Sequence, residues 1–337
     1  MKNYLLGAGL TTAALCFAGA ARAQDSRLSY EIEVEIGVDS VISSDIAGNE
    51  MTDTYATANV TLGYNLAPGV DAFLALTHES VLDPTGDRTF EDMGMYVGEL
   101  GLSFAVGPAE VRVGKIGVPF GIAWDVTPGY YGTALAEDYE LSEMIGVSAA
   151  VELAQGTLTA SVFYMDDTGL SRSWGGTDRG RNTVAAGGAG NTGKLNNVAL
   201  QYDVEFGATS LHAGASYLTR GQGDVADQKG LALGVVHGIN DDLELMGEVA
   251  HFSGYGGTSD KATYATLGLA YTRGPITYSA SLAQRDVTST GKDRIATLGV
   301  DYEFKNGITL TSGYAFIDEA GANSQALGMA VVIPIGG

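Results

Sequence analysis

Residues 28–39 read Leu-Ser-Tyr-Glu-Ile-Glu-Val-Glu-Ile-Gly-Val-Asp, and this stretch carries the clearest pattern in the chain. Apolar side chains stand at every even position from Leu28 to Val38, and the positions between them are mostly acidic or small. Only a β-strand has a side-chain period of two, so one face of this strand is apolar and the other is acidic. About ten alternating residues cross a bilayer in a tilted strand, although the edge of a soluble sandwich would show the same pattern.

The same alternation recurs along the chain, and short and long interruptions take turns between the alternating runs. The short interruptions contain typical hairpin residues: Pro68-Gly69, Gly107-Pro108, Gln155-Gly156, Gly207-Ala208, Asp241-Asp242, Gly274-Pro275 and Asn306-Gly307. The long interruptions are polar and lie near residues 39–53, 79–94, 115–144, 166–196, 219–229, 252–262, 285–293 and 317–324. This asymmetry predicts an all-β fold: a transmembrane antiparallel β-barrel of about sixteen strands with short periplasmic turns and long extracellular loops.

Aromatic residues and the second strand face favour a membrane barrel over a soluble sandwich. Tyr and Phe recur with the apolar parity close to the short turns and again close to the long loops, as two interfacial belts require. The other parity is small or polar along most runs, and its charged groups could not be buried in a dry core without partners. We therefore expect this face to line a water-filled lumen.

The N-terminal residues are typical of a secretory signal, because an apolar run ends at the cleavage pattern Ala21-Arg22-Ala23. We expect a signal peptide at residues 1–23, cleaved near Ala23, and a single barrel domain at residues 24–337. Cys16 lies in the signal, so the exported chain would carry no cysteine, disulfide or thiolate metal site. The net charge of −22 argues against nucleic acid as a partner.

The signal, the chain length, the strand count and the long segment after the fifth strand together resemble the Gram-negative general porin family. The resemblance implies a bacterial outer-membrane channel for passive diffusion of small hydrophilic solutes and ions, in contact with outer-membrane lipid and lipopolysaccharide. It also implies a homotrimer, and a loop at residues 115–144 that folds into the lumen and narrows it. Residues 114–121 (Gly-Lys-Ile-Gly-Val-Pro-Phe-Gly) are similar to a motif of phosphate-selective porins O and P and of siderophore-uptake barrels.

Two features depart from the porin pattern. Porins of this kind usually end in an aromatic residue that the assembly machinery reads, whereas residues 331–337 form an apolar run that ends in glycine. The general-porin constriction also places a basic ladder opposite an acidic loop, and the early strands here offer little beyond Arg112. We therefore expect a preference for cations over anions, phosphate included.

Candidate pore residues follow from charge and parity. The acidic set of the third long segment is expected at the constriction, where negative charge concentrates cations: Asp125, Glu137, Asp138, Glu140 and Glu143. Charged residues of the polar parity are expected on the lumen wall: Glu31, Glu33, Glu35, Glu99, Arg112, Glu152, Glu248 and Arg285. The alternative is an acidic loop that is merely solvated, and a calcium site lacks the required ligand spacing.

The sequence offers no support for enzymatic chemistry. His78, His212, His237 and His251 lie in different runs without a helical metal-binding pair, and no Gly-x-Ser-x-Gly motif occurs. We expect no catalytic residue, no metal and no cofactor. The alternatives to a passive channel are a substrate-specific outer-membrane channel of the phosphate or siderophore type, a barrel enzyme, an adhesion scaffold, and a secreted soluble β-protein.

Overall fold

The computed structural model describes residues 27–336. The expected signal peptide at residues 1–23, with its cleavage near Ala23, lies outside the described residues. Sixteen long strands make up most of the described chain, numbered β1 to β16 in chain order. Their bounds are β1 Leu28–Ser44, β2 Thr52–Ala67, β3 Val70–Ser80, β4 Met93–Val106, β5 Ala109–Val118, β6 Leu141–Leu153, β7 Gly156–Met165, β8 Asn197–Phe206, β9 Thr209–Leu218, β10 Gln228–Asn240, β11 Leu243–Ser253, β12 Lys261–Arg273, β13 Ile276–Val287, β14 Gly291–Glu303, β15 Thr309–Glu319 and β16 Ala322–Gly336.

The strands close into one barrel. Each strand pairs antiparallel with the next along the chain, and β1 pairs with both β2 and β16. Val34 of β1, for example, lies opposite Ala58 of β2 on one side and Ile333 of β16 on the other. A sandwich would leave unpaired edges, whereas this sheet has none. The predicted all-β barrel of about sixteen strands is confirmed.

The apolar parity points outward, as the alternation predicted. Tyr30 and Ile36 on β1 are 41% and 47% exposed, whereas Glu35 and Asp39 of the other parity are 6% and 2% exposed. Outward apolar side chains meet lipid in a membrane barrel, and inward side chains line the lumen. The acidic face of the first strand is therefore a lumen face.

Short turns lie at one end of the barrel and longer loops at the other, which we call the turn end and the loop end. The loops cover residues 45–51, 81–92, 119–140, 166–196, 219–227, 254–260, 288–290 and 320–321. The last two are shorter than the polar segments 285–293 and 317–324 predicted, because polar residues there belong to strands. Arg285 of β13 and Asp293 of β14, for example, face the lumen and form an ion pair.

Two loops complete the wall at the loop end, where neighbouring strands part. In the second loop, Arg88–Thr89 is a two-residue strand parallel to β2, and two nitrogen atoms of Arg88 donate to Asp53. In the fourth loop, residues 166–196, Trp174 exchanges two backbone hydrogen bonds of 2.8 Å with Met95 of β4. These backbone pairings of the second and fourth loops extend the wall at the outer ends of β2 and β4.

Helical segments are short and confined to the loops. One α-helical turn, α1, spans Ala123–Val126, and single 3-10 turns lie at Ala136–Tyr139, Gly169–Ser171, Val184–Ala186 and Tyr255–Gly257. Within residues 27–336 no helix has the length and apolar character needed to cross a membrane, a result that has no bearing on strands.

Candidate pore constriction

The third loop, residues 119–140, lies inside the barrel rather than above its rim. It leaves β5 after Val118, contains α1 and the 3-10 turn Ala136–Tyr139, and joins β6 at Leu141. Phe120 is 1% exposed and packs on Phe252 of β11, with ring centroids 5.7 Å apart. Because Phe252 has the inward parity, the loop rests on the inner face of the wall.

Inward-facing glycines give the third loop room to lie flat on the wall. A Cβ atom at Gly234 would lie 2.8 Å from Ile122 Cδ1, and one at Gly268 would lie 2.5 Å from Pro128 Cδ. Larger side chains would lift the loop, because close-packed interiors have no spare volume. We call these residues the glycine seat: Gly214, Gly230, Gly234, Gly268, Gly299, Gly313 and Gly328.

Glu248 of β11 anchors the start of the third loop. Its carboxylate accepts hydrogen bonds from the backbone N–H groups of Ile122 (2.6 Å) and Ala123 (3.2 Å) and from the Tyr139 hydroxyl (2.5 Å). The side chain is buried beneath the loop it holds, at 3% residue exposure. Glu248 thus lies on the lumen wall, as expected, but its carboxylate is occupied by these donors and does not face open water.

Asp138 anchors the other arm of the loop. It accepts a hydrogen bond from the Tyr264 hydroxyl (2.9 Å) and pairs with Arg285 of β13 (2.7 Å), which also pairs with Asp293 of β14. The negative charge of Asp138 is therefore compensated. Asp138 of the third loop and Arg285 of the lumen wall, which the sequence suggested as a constriction charge and a wall charge, thus form one ion-paired cluster.

Tyr130 and Tyr131 tie the tip of the loop to the first two strands. The Tyr131 hydroxyl donates to Asp39 of β1 at 2.6 Å, and the Tyr130 hydroxyl lies 2.7 Å from that of Tyr55 on β2. Tyr55 in turn donates to Glu35. Glu35, expected as a wall charge, thus belongs to a hydrogen-bonded relay that holds the loop.

Three of the predicted constriction carboxylates stay without a basic partner. Unlike Asp138 and Glu143, the side chains of Asp125, Glu137 and Glu140 pair with no Lys or Arg among residues 27–336. The Thr133 hydroxyl donates a hydrogen bond of 2.6 Å to the Glu137 carboxylate. These three side chains are the negative charge that the loop itself can present to the aperture.

The depth of these groups inside the barrel changes their protonation. Burial raises the pKa of Glu137 to about 7; the Thr133 hydrogen bond opposes the shift, while Glu140 and other carboxylates add to it. Burial also raises the pKa of Glu140 to about 7, with Asp125 contributing. The pKa of Asp125 is raised by burial as well. The loop charge therefore varies near neutral pH.

Glu143 is a strand residue, not a loop charge. It lies on β6 and pairs with Lys115 of β5 (2.6 Å) and with Arg179 of the fourth loop (2.5 Å). Lys115 also pairs with Asp166 at 2.9 Å, and its side chain is fully buried. Two bases therefore compensate the charge of Glu143, which the sequence placed among the constriction carboxylates.

The remaining predicted wall residues all have the inward parity. Glu99 pairs with Arg112 at 2.9 Å and accepts the Gly117 N–H at 2.8 Å, so both charges are internally compensated. Glu152 accepts a hydrogen bond from Thr157 near the turn end. Glu31 and Glu33 lie on the same face of β1, also toward the turn end.

Several residues that shape the site were not predicted from the sequence. They are Asp39, Asp53, Tyr55, Lys115, Tyr130, Tyr131, Asp166, Arg179, Tyr264 and Asp293. The inward parity of Asp39 and Asp53 was readable from the alternation. The glycine seat was also readable in part, since a glycine within a strand often marks a close approach of another backbone.

The described part of the chain offers no metal centre. Among residues 27–336, no three His, Cys, Asp or Glu side chains are grouped so that they could hold a metal ion. His212 pairs with Asp203 (2.6 Å), while His237 and His251 share hydrogen bonds with Thr209 and Thr263. These contacts are those of wall residues.

Comparison with known proteins gives one family match. A family model for Gram-negative porins matches residues 10–323, and no curated protein sequence matches the chain. The outer membrane channel DcaP of Acinetobacter baumannii has a TM-score of 0.68 at 11% identity, covering 91% of this chain and 97% of that one. A mutant of the Rh. blastica porin has a TM-score of 0.61 at 15% identity, covering 91% and 100%. An anion-selective porin from Comamonas acidovorans has 0.60 at 15%, covering 91% and 98%.

The family match extends over most of the chain, and the similar structures share the whole barrel. Porins are channels of the bacterial outer membrane and are not enzymes, so the predicted channel and its predicted localisation are confirmed. The closed barrel, the loop inside it and the family match lead to one conclusion: the chain belongs to the Gram-negative porin family.

Proposed function

We propose that this porin is a cation-preferring, water-filled channel through which small hydrophilic solutes and ions diffuse passively across the outer membrane. The channel follows from the family, whereas the sign of the selectivity rests on the charges that face the lumen. The fold does not set that sign, since the anion-selective porin from Comamonas acidovorans shares it.

A ring of carboxylates near the turn end carries the proposal. Within the strands of this half, the inward bases are Arg112, paired with Glu99, and His212, paired with Asp203. An excess of fixed negative charge raises the local concentration of cations and lowers that of anions. The ring, which we call the turn-end ring, comprises Glu31, Glu33, Glu110, Glu152, Asp203, Glu205, Glu244, Asp301 and Glu303.

The third loop adds charge of the same sign at the narrow part of the lumen. Asp125, Glu137 and Glu140 lack basic partners in the described chain. At physiological salt the Debye length is about 8 Å, so charges at an aperture act more strongly than charges across a wide lumen. The loop and the turn-end ring therefore favour cations together.

The buried ion pairs of Lys115 argue against the alternative of a phosphate-specific channel. In the motif at residues 114–121, Lys115 is the basic residue. Its ammonium group is buried and already bound to Glu143 and Asp166. A buried cation that is compensated by two carboxylates does not attract a phosphate, so the motif supports wall integrity rather than anion binding.

Planar-bilayer recording of the purified protein tests the proposal. We expect an open, ohmic channel whose reversal potential in a potassium chloride gradient has the sign of cation selectivity. Replacing ring carboxylates, as in Glu205→Gln with Glu303→Gln, should lower the cation-to-anion permeability ratio, and the effect should shrink at high salt. Glu91→Gln, an exposed carboxylate of the second loop, is the matched control. Anion selectivity of the wild-type channel would refute the proposal.

We also propose that the protein assembles as a homotrimer. Leu82, Phe90 and Trp174 are 45%, 48% and 42% exposed on loops near the outer end of β2 to β4. Below them, the outward face of β2 carries small side chains such as Ala56 and Ala58. Apolar loop side chains beside a flat wall suit contact with another subunit. Native mass spectrometry in detergent should find three chains, and a monomer at all concentrations would contradict the assembly.

Contact with lipopolysaccharide is proposed from the lipid-facing bases at the loop end. Lys229, Lys261, Lys292 and Arg294 have the outward parity at the outer ends of β10, β12 and β14. Ammonium and guanidinium groups at this height suit the phosphate groups of an outer leaflet. Co-purified lipopolysaccharide should decrease when Lys229 and Lys261 are both changed to Gln. Unchanged co-purification would argue against contact through these bases.

For the chain ends, we propose that residues 1–23 are a signal peptide removed near Ala23, which leaves a barrel domain at residues 24–337. The support is the cleavage pattern Ala21-Arg22-Ala23. N-terminal sequencing of protein from outer membranes should begin near Gln24, and an intact Met1 would contradict the proposal.

A further inference from the structure

Between the third loop and the loop end, the lumen holds a cavity of about 880 Å³, which we call the vestibule. Tyr139, Glu140 and Leu141 line it from the third loop and the start of β6. The outer ends of β6, β7, β9, β10 and β11 and of β13 to β15 line its sides. A concave space of this volume is in the range that holds small organic molecules.

One side of the vestibule is apolar where a water-filled lumen is expected to be polar. It is lined by Met144, Met165, Leu218 and Phe252, together with Tyr255 of the sixth loop. Met165 and Tyr255 are partly exposed and pack on a buried core that includes Phe252. The apolar surface is therefore rigidly backed, which suits the binding of an apolar group.

The other side of the vestibule is charged, but its strongest charges compensate one another. Arg285 pairs with both Asp138 and Asp293. Glu140 lines the cavity and has no basic partner within residues 27–336. A molecule in the vestibule thus meets apolar surface on one side and a negative charge at the floor. An anion would face that charge without a compensating base.

From this arrangement we propose that the vestibule binds small organic cations that carry an aromatic or alicyclic ring, before they pass the third loop. The ring packs on Met165, Leu218 and Tyr255, and the cationic group lies at Glu140. Tyrosine faces add attraction for such a cation. The inference rests on the proposed function, because the molecule reaches the vestibule through an open, cation-preferring channel.

Blockade of the single-channel current measures this binding with defined probes. Benzyltrimethylammonium, a permanent cation with a phenyl ring, should block potassium current at concentrations about fivefold lower than tetramethylammonium does, because partial burial of the ring contributes this much affinity. Block should need less probe from one side of the membrane, since the vestibule opens at the loop end. Benzoate has the ring without the positive charge and should not block.

Two substitutions separate the ring contact from the charge contact. Met165→Gln keeps the length of the side chain and removes its apolar character, so it should abolish the advantage of the benzyl probe over tetramethylammonium. Glu140→Gln should weaken block by both cations about threefold, the effect of one partly solvated charge. Glu91→Gln, an exposed carboxylate of the second loop outside the vestibule, is the matched control. Glu137→Gln is the comparison for the constriction, since Glu137 lies on the third loop but does not line the vestibule.

The outcomes separate this inference from the proposed function. Equal block by the benzyl probe and tetramethylammonium in a cation-selective channel would overturn the vestibule site and leave the proposed function intact. An equal loss of block in Glu137→Gln and Glu140→Gln would assign the block to the constriction and also overturn the site. A closed or anion-selective wild-type channel would instead refute the proposed function.

Discussion

A single methyl group on β16 tests whether the glycine seat positions the third loop. In Gly328→Ala, the new Cβ would overlap three ring atoms of Tyr130. Ordinary contact begins at about 3.4 Å, so the ring must move by roughly 1 Å or the strand must yield. The Tyr130 side chain has little room to move. Gly313 lies close to its Cβ atom, and the ring of Tyr131 packs against its ring with the centroids 4.7 Å apart.

The displacement should break the hydrogen-bond relay at the loop tip. The contact between the Tyr130 and Tyr55 hydroxyls, 2.7 Å long, is the first to be lost. One such hydrogen bond contributes about 1 kcal/mol, and overpacking costs about 1–3 kcal/mol. Because the anchors at Glu248 and Asp138 remain, we expect the loop tip to shift into the lumen while the barrel stays folded. Single-channel conductance should fall and current noise should rise.

A double-mutant cycle makes the test specific. Tyr130→Ala removes the ring that the new methyl group meets, so Gly328→Ala should have no further effect in that background. Gly98→Ala is the matched control in a strand, since the nearest atom to its Cβ is 3.9 Å away. If Gly328→Ala leaves conductance and noise unchanged, or changes them equally with and without the Tyr130 ring, the seat does not position the loop.

The remaining predictions concern the anchors and the titrating charges. Glu248→Ala leaves two buried N–H groups without acceptors, at a cost of about 1–3 kcal/mol each, and should raise current noise more than conductance. Because the pKa values of Glu137 and Glu140 are raised to about 7, cation selectivity, measured as reversal potential, should decline as the pH falls through about 7; a decline only near the usual carboxyl range would contradict this. Lys115→Met leaves the buried carboxylate of Asp166 without its basic partner, which should cost about 3–5 kcal/mol of stability. The barrel should therefore unfold at a lower temperature on a denaturing gel; an unchanged unfolding temperature would contradict this role of Lys115.

Strand parity could be predicted from the sequence because a barrel applies one rule to every strand residue. The alternation from Leu28 to Val38 already separates lipid-facing from lumen-facing side chains. Loop boundaries near the C-terminus were less readable, because Arg285 and Asp293 look like loop residues and are lumen-facing strand residues. Polar residues face water both in a loop at the rim and on a strand inside the barrel, so polarity alone cannot distinguish the two locations.

The sequence allowed the position of the third loop inside the barrel to be predicted, but not the partners of its carboxylates. Its carboxylates stand close together in sequence, whereas the groups that compensate them do not: Asp138 and Arg285 are 147 residues apart, and Glu248 and Ile122 are 126 apart. No local pattern encodes such a pairing, because it depends on the route of the loop across the wall. Glu248 and Glu31 therefore look alike in sequence and differ completely in environment.

The carboxylates inside the barrel have two incompatible requirements. An anchoring group such as Glu248 needs hydrogen-bond donors at both carboxylate oxygens and shielding from water. Its charge therefore fixes the position of the loop and does not act on passing ions. A conducting group such as Asp125 must face water, because a charge already bound by protein donors attracts passing ions weakly. Substitutions of anchors should therefore appear in current noise, and substitutions of open carboxylates in the reversal potential. A residue whose substitution changed current noise and reversal potential equally would contradict this separation of anchoring carboxylates from open ones, on which the proposed cation preference rests.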